Sequence, residues 1–406
     1  MVHVRLITLT APALVGGIAL SLAAPQAARA DSITLQTVKV TDKAADPVGI
    51  VPFTDAIYAD CGTSAPAGCL EVGEVDYAYR IGRLETTVGQ YVKFLNTVDP
   101  RGTNKRRLYS RTESSSAWPK YGQINRESRA KRGNHYSVAY PQWAKKPYGF
   151  ADFLRAARFV NSLGNGKVLR KRTVTKGGFD VTTYRVRLST RTERGMYTMA
   201  RKRTQRTGRT GFVVPSQDEW IKAAYYDPNG GGTYSYWKYP TNPGVFGDGT
   251  ATQPNSTVLS RNGNVTNVAD QPLATDLAGT EPVPTWCPVQ YSPADECETK
   301  NPFGIPAEQY QQLYEASLST IGQAATLSPW GTLDQGGNAV EWTDTITATP
   351  VGTTKGRVWR RLHGGVPNST AYQLWLSAVG LQPENNQFFE QTYPWLGFRV
   401  GVIGKL

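Results

Sequence analysis

The chain has 406 residues, with 45 Lys and Arg against 32 Asp and Glu and a formal net charge of +13. A hydrophobic fraction of 39% supports a packed core, while 40 Gly, 26 Pro and 10 Trp favour many turns over long helices. Collagen, coiled coil and wholesale disorder are excluded.

The first element in the chain is an apolar run over residues 6–24, behind Arg5 and ahead of Ala28-Arg29-Ala30, an A-x-A cleavage pattern. It reads as a signal peptide over residues 1–30, with a mature chain that begins at Asp31 and is secreted. No later segment has about 18 consecutive apolar residues, so the expected product is not transmembrane. Residues 33–40 alternate apolar and polar with one slip, since Ile33 and Leu35 are followed by Val38 and Val40, and this predicts a half-buried strand. A second strand is expected over 77–82. Apolar residues at Val88, Tyr91, Val92, Leu95 and Val98 share one helical face, with Thr87 as cap. A further helical pattern starts at Phe150, runs through Phe153, Leu154, Ala157 and Val160, and ends with Gly164 as the residue after the helix. Residues 181–188 read as a strand. Ser216-Gln217-Asp218-Glu219 is a capping box that opens an aromatic-rich helix, stopped at Asp227-Pro228. Beyond it the chain is loop-dominated to about Trp330, with one helix expected over 307–321.

Export gives the cysteines their meaning. Cys61, Cys69, Cys287 and Cys297 form two close pairs in a compartment that permits disulfides. Local pairing is the simplest reading, each bridge closing a loop of about ten residues and contributing roughly 2–3 kcal/mol. A four-Cys zinc site is the rival, although its ligand pairs are normally spaced more tightly.

The charge is unevenly spread. Residues 101–210 hold 28 Lys and Arg against 5 Asp and Glu, a net of +23, and the remaining 17 basic and 27 acidic residues leave −10 elsewhere. Runs such as Lys105-Arg106-Arg107, Arg170-Lys171-Arg172 and Arg201-Lys202-Arg203 suit an anionic polymer or a lipid surface, or simply a solvated insertion. Trp118, Tyr121, Tyr136 and Trp143 are interleaved with that charge, but no motif organises them for specific nucleic-acid binding.

Five blocks carry a resemblance. Tyr79-Arg80-Ile81-Gly82-Arg83-Leu84-Glu85-Thr86-Thr87, followed by Gln90-Tyr91 and Phe94-Leu95-Asn96, is the first. Ala157-Arg158-Phe159-Val160-Asn161-Ser162-Leu163 and Val214-Pro215-Ser216-Gln217-Asp218-Glu219-Trp220 follow. Gly336-Gly337-Asn338-Ala339-Val340-Glu341-Trp342 and Gly397-Phe398-Arg399-Val400 complete the order. Together they resemble the formylglycine-generating enzyme (sulfatase-modifying factor) superfamily. Ser328-Pro329-Trp330-Gly331-Thr332-Leu333-Asp334 is similar to the S-P-Y-G-T-x-D stretch of exported members. The resemblance implies an α+β, C-type-lectin-like fold over residues 31–406, with little regular secondary structure and Trp220 and Trp342 in the core. The stretches 101–147 and 166–210 are long for the family and are expected to hang from the domain as loops.

The family's enzymes oxidise a substrate cysteine with two copper-binding cysteines, and thiolates are the soft ligands that Cu(I) selects. In the ungapped register those positions fall at Ser369 and Leu374, so copper is not expected. A three-histidine iron site, as in the sulfoxide synthases of the superfamily, is excluded by number, because residues 31–406 contain only His135 and His363. Glu85, Asp218, Glu219 and Glu341 fall on framework positions, where capping and hydrogen bonds at the core edge account for them. The resemblance also implies a structural calcium held by Asn338, Glu341 and the Gly337 carbonyl, with Val340 in place of the motif's first Trp. The expectation that follows is a non-catalytic member that binds an extracellular ligand or polymer through His363, Asn368, Tyr372, Gln373, Trp375, Asn385, Asn386 and Tyr393. Amide and aromatic side chains of this kind combine hydrogen bonding with flat apolar area. Two rivals stand beside it: an oxidase with relocated catalytic residues, and a polymer-docking protein led by the basic region.

Overall fold

The slip in the first strand has a structural cause. In a computed structural model of the chain, residues 1–30 separate from one compact unit, Asp31–Leu406, and only the second is considered below. The structure describes residues 32–41, 49–52, 69–110, 123–199, 204–229, 237–240, 242–245, 318, 321–322, 327–347, 358–365, 380–383 and 395–406. At 49–52, 69–72, 142, 238–239, 242–245 and 380–383 it describes the backbone alone. Strand β1 (Ser32–Val40) buries Ile33 and Leu35 on one face, then Val38 and Val40 on the other. Its pairing is continuous, so no bulge turns the chain over. The two halves of the strand instead face two different apolar cores, on opposite sides of one sheet.

The remaining strands are β2 (Gly49–Pro52), β3 (Cys69–Val72), β4 (Tyr79–Gly82), β5 (Ile124–Arg126), β6 (Tyr136–Val138), β7 (Lys167–Lys176), β8 (Phe179–Arg187) and β9 (Gly211–Val213). They continue with β10 (Trp237–Tyr239), β11 (Asn242–Val245), β12 (Val340–Thr347), β13 (Trp359–His363), β14 (Gly380–Pro383), β15 (Leu396–Gly397) and β16 (Gly401–Ile403). The α-helices are α1 (Val88–Val98), α2 (Phe153–Gly164) and α3 (Gln217–Tyr225). The central sheet is antiparallel in the order β7-β8-β1-β4-β16-β9, and a second sheet has the order β14-β13-β12-β15. The architecture is α+β, with short strands and few helices.

The helices follow their sequence signals closely. Thr87 caps α1 by accepting from the Gln90 amide, and Gln90 returns the bond to the Thr87 amide. The expected apolar face is buried, and the Tyr91 ring stacks on Tyr148 at 3.7 Å. Ser216 and Glu219 form the capping box of α3. Helix α2 starts later than the pattern suggested. Phe150 has a left-handed backbone (φ 53), Asp152 caps the helix, and Gly164 lies inside it with Asn165 as C-cap. Trp220 and Trp342 are fully buried. The helix expected over 307–321 falls almost entirely outside the described residues.

The basic region is not a pair of hanging loops. Residues 167–187 form the β7-β8 hairpin, and β8 pairs with β1 from Ser32↔Arg187 to Val38↔Val181. Alternation places Val181 in one core and Tyr184 and Val186 in the other, which a count of Lys and Arg does not reveal. The segment before α2 also reaches the core, through Leu108, Tyr109, Ile124 and Tyr136. Tyr136 and Trp143 are therefore interior groups, with exposures of 2% and 7%, and not stacking platforms. The hairpin's turn end is fixed by Phe179, which lies against Gly331 at positive φ (83°), where an added Cβ would sit 2.5 Å from the ring. Gly331→Ala is expected to destabilise the protein by about 1–3 kcal/mol, from left-handed strain and overpacking, read as a lower midpoint in urea unfolding.

Candidate functional site

Residues from the motif blocks meet at one buried ion pair. Gly337 (φ 85) and Asn338 (φ 61) turn the backbone left-handed, which delivers Glu341 inward at the start of β12. Arg399 reaches it from between β15 and β16. Its Nη2 donates to Glu341 Oε1 at 2.5 Å and its Nε to Oε2 at 2.6 Å, with both side chains fully buried. Trp220 Nε1 donates to the same Oε2 at 2.7 Å. The guanidinium also donates to the carbonyls of Gly82 (2.8 Å) and Leu333 (3.2 Å). Four of the five resemblance blocks, and the Leu333 stretch, are thus joined through one carboxylate and one guanidinium. Removing one partner strands the other charge in the interior. Arg399→Met is expected to cost about 3–5 kcal/mol, measured by chemical denaturation.

Two further carboxylates lie beside this pair. Glu85 is 2% exposed, and neither of its carboxylate oxygens has a hydrogen-bond partner among the described residues. Burial, then the charges of Asp334 and Glu341, push its acid strength well below that of an ordinary glutamate, while Arg399 offsets this only in part. Asp334 accepts from the Gly322 amide, yet burial raises its pKa to about 6. Three carboxylates gather around the fully buried Arg399 guanidinium, with the half-buried Arg83 beside Asp334, which leaves an excess of negative charge. Because the folded-state pKa of Glu85 lies above its ordinary 4.5, the stability tied to its protonation is present below that value and lost as pH rises through the folded pKa. Glu85→Gln should therefore melt increasingly above the parent protein as pH is raised above 4.5, with little difference below it, in a series of thermal melts.

That excess bears on the expected calcium. The Glu341 carboxylate already accepts three hydrogen bonds, which leaves about one lone-pair site for a further contact. Among the described residues no three His, Cys, Asp or Glu side chains form a group able to hold a metal ion. A hard cation at the expected place would rest on Glu341, the Gly337 carbonyl and the Asn338 side chain.

The expected ligand-binding residues fare differently. His363 is not on a surface: it ends β13, is 2% exposed and stacks on Trp220 with ring centroids 5.1 Å apart. Register explains this, since His363 pairs with Glu341 at the centre of the second sheet. Asn368, Tyr372, Gln373, Trp375, Asn385, Asn386 and Tyr393, with Ser369 and Leu374, lie outside the described residues. So do Cys61, Cys287, Cys297, the side chain of Cys69, Trp118, Tyr121 and the 201–203 run. What the structure does describe is how the 363–395 stretch is anchored. Glu341 pairs with His363 on one side and with Gly397 on the other, and β14 returns within the stretch to pair with β13.

A second polar cluster has no signal in the sequence. Arg206 donates to Asp344 Oδ2 at 2.7 Å and to both oxygens of Glu219 at 2.9 Å. Tyr197 and Tyr77 donate to Asp344 and Glu219 at 2.9 and 2.6 Å. Arg206 is one of many basic residues in its region, and only tertiary structure separates it from the rest. A cavity of about 210 Å³ beside Val98, Asp99, Asn104 and Arg106 offers no open carboxylate, because Asp99 accepts from Thr103, Asn104 and Tyr136.

No protein-family model matches the chain, and no curated protein matches it. Solved structures similar to it include Treponema denticola variable protein 1 (14% identity, TM-score 0.39, covering 92% of this chain and 99% of that one). CarF (15%, 0.38, 91% and 99%) and PvdO from Pseudomonas aeruginosa (12%, 0.39, 91% and 94%) are further examples. Among the described residues no helix is long and apolar enough to cross a membrane.

Proposed function

We propose that the chain is an exported, non-catalytic binding protein, built on the C-type-lectin-like framework of the formylglycine-generating enzyme superfamily, that holds an extracellular ligand on the residues between His363 and Trp395. The observation that carries this reading is the anchoring of that stretch at Glu341 from both sides. A segment clamped at each end to a buried ion pair is free to vary in its contacts while its frame stays fixed, the arrangement a binding surface needs. His363, buried against Trp220, belongs to the frame and not to the contacts. Asn368, Tyr372, Gln373, Trp375, Asn385, Asn386 and Tyr393 supply the contacts. Calcium at Gly337, Asn338 and Glu341 is part of the proposal and would rigidify the same frame, and copper is not.

The test has two arms. On an array of polysaccharides and extracellular proteins, the parent protein should be retained by at least one class, and Trp375→Ala with Tyr393→Ala should lose that retention while melting normally. In metal analysis, calcium without copper is expected, and chelation should lower the melting temperature. Stoichiometric copper together with oxidation of a cysteinyl peptide would sink the non-catalytic reading in favour of an oxidase. A melting temperature indifferent to chelation would remove calcium alone.

A further inference from the structure

Strand β7 is the free edge of the central sheet, and all its residues except Val168 are exposed. Cross-strand register assigns its side chains to faces. Lys167 lies opposite Arg187, Arg170 opposite Arg185, and Arg172 opposite Thr183. On the next strand these rows continue to Ser32, Thr34 and Gln36 of β1, of which Thr34 and Gln36 are exposed. The other half of this same sheet face is covered, because Val38, Ile81 and Val181 pack there against Trp220 and Ile221 of α3. What remains open is a basic strip of two strands and three rows, about 13 Å long at the usual strand rise.

No acidic side chain occupies a paired position in these rows. Among the described residues Lys167, Arg170, Arg172 and Arg185 have no carboxylate partner, and Arg185 donates to the Ser32 hydroxyl. The hairpin's one carboxylate, Asp180, is on the opposite face, where its own carbonyl accepts from Arg80. Guarding a sheet edge against association accounts for charges on β7. It does not account for Arg185 on the interior neighbour β8, where like charges set opposite each other weaken the pairing.

We infer that this strip docks an extended phosphate-bearing polyanion lying along the hairpin. Three of its four open charges, Arg170, Arg172 and Arg185, are arginine, whose planar fork bonds phosphate bidentately. Its rows carry no exposed aromatic ring, so they offer neither a base-stacking platform nor the interfacial anchors of a membrane-binding surface. This observation is independent of the 363–395 reading, and either stands without the other.

The experiment compares the full chain with Arg170→Ser/Arg172→Ser/Arg185→Ser, and with Arg129→Ser/Lys131→Ser/Arg132→Ser as a control of equal charge. The probe is linear inorganic polyphosphate, followed by titration across a salt series. The hairpin variant should bind about tenfold more weakly or worse, with its salt slope reduced by about 2, while the control changes little. Its melting temperature should equal or exceed the parent's, because repulsion has been relieved. If it melts lower, Arg172→Ser, which faces only Thr183, decides, and unaltered polyphosphate binding in that variant overturns the proposal. Equal losses in both triple variants would overturn it as well. So would equal affinity for polyglutamate, or binding confined to phosphatidylserine vesicles or duplex DNA.

Discussion

The Glu341–Arg399 pair is the interaction on which the rest of the described structure hangs. A carboxylate and a guanidinium with no exposure are tolerable only where hydrogen bonds replace water, and here each is supplied by a different part of the chain. Trp220 brings α3, the Gly82 carbonyl brings β4, the Leu333 carbonyl brings the stretch after Trp330, and β12 brings the second sheet. In a protein with short strands and only three described α-helices, such a junction does the work that a large regular interface does elsewhere. It also explains why motifs scattered over some 320 residues of sequence share one small volume.

The same junction separates what is structural from what is available. His363 looks like surface chemistry in a sequence motif, but its place in β13 turns it inward. Glu85 is the exception among the framework acids. Asp218 accepts from the Gly73 amide and Glu219 caps its helix, whereas Glu85 is left beside two other carboxylates with only Arg399 to offset them. A buried acid in that position makes the core responsive to pH.

Local signals were legible where they act locally. The face of α1 with its Thr87 cap, the capping box of α3 and the apolar positions of β1 follow from spacing alone, because the period of a helix or strand is written in adjacent residues. The slip between Leu35 and Val38 was visible too, but its meaning requires knowing that two cores lie on opposite sides of one sheet. The β7-β8 hairpin was legible only in part: the apolar alternation of β8 gave the strand, while the abundance of charge suggested a detached loop. Pairing with β1, some 150 residues away in sequence, is a non-local fact that no window contains. Arginine was the least legible residue type. Arg399 and Arg360 are fully buried and Arg155 nearly so, whereas Arg170 and Arg172 are exposed, and nothing in a charge count tells these uses apart.

Strand β16 lies between β4 and β9 in the central sheet, so residues 401–403 complete a layer whose other members begin at residue 32. Until residues 401–403 dock, the sheet has a vacant slot between β4 and β9. Partial chains would hold β4 and β9 with unpaired edges and half-covered cores, the kind of surface that attracts chaperones. Completion of the central sheet therefore waits on β16, and on the long loop that must close to seat it.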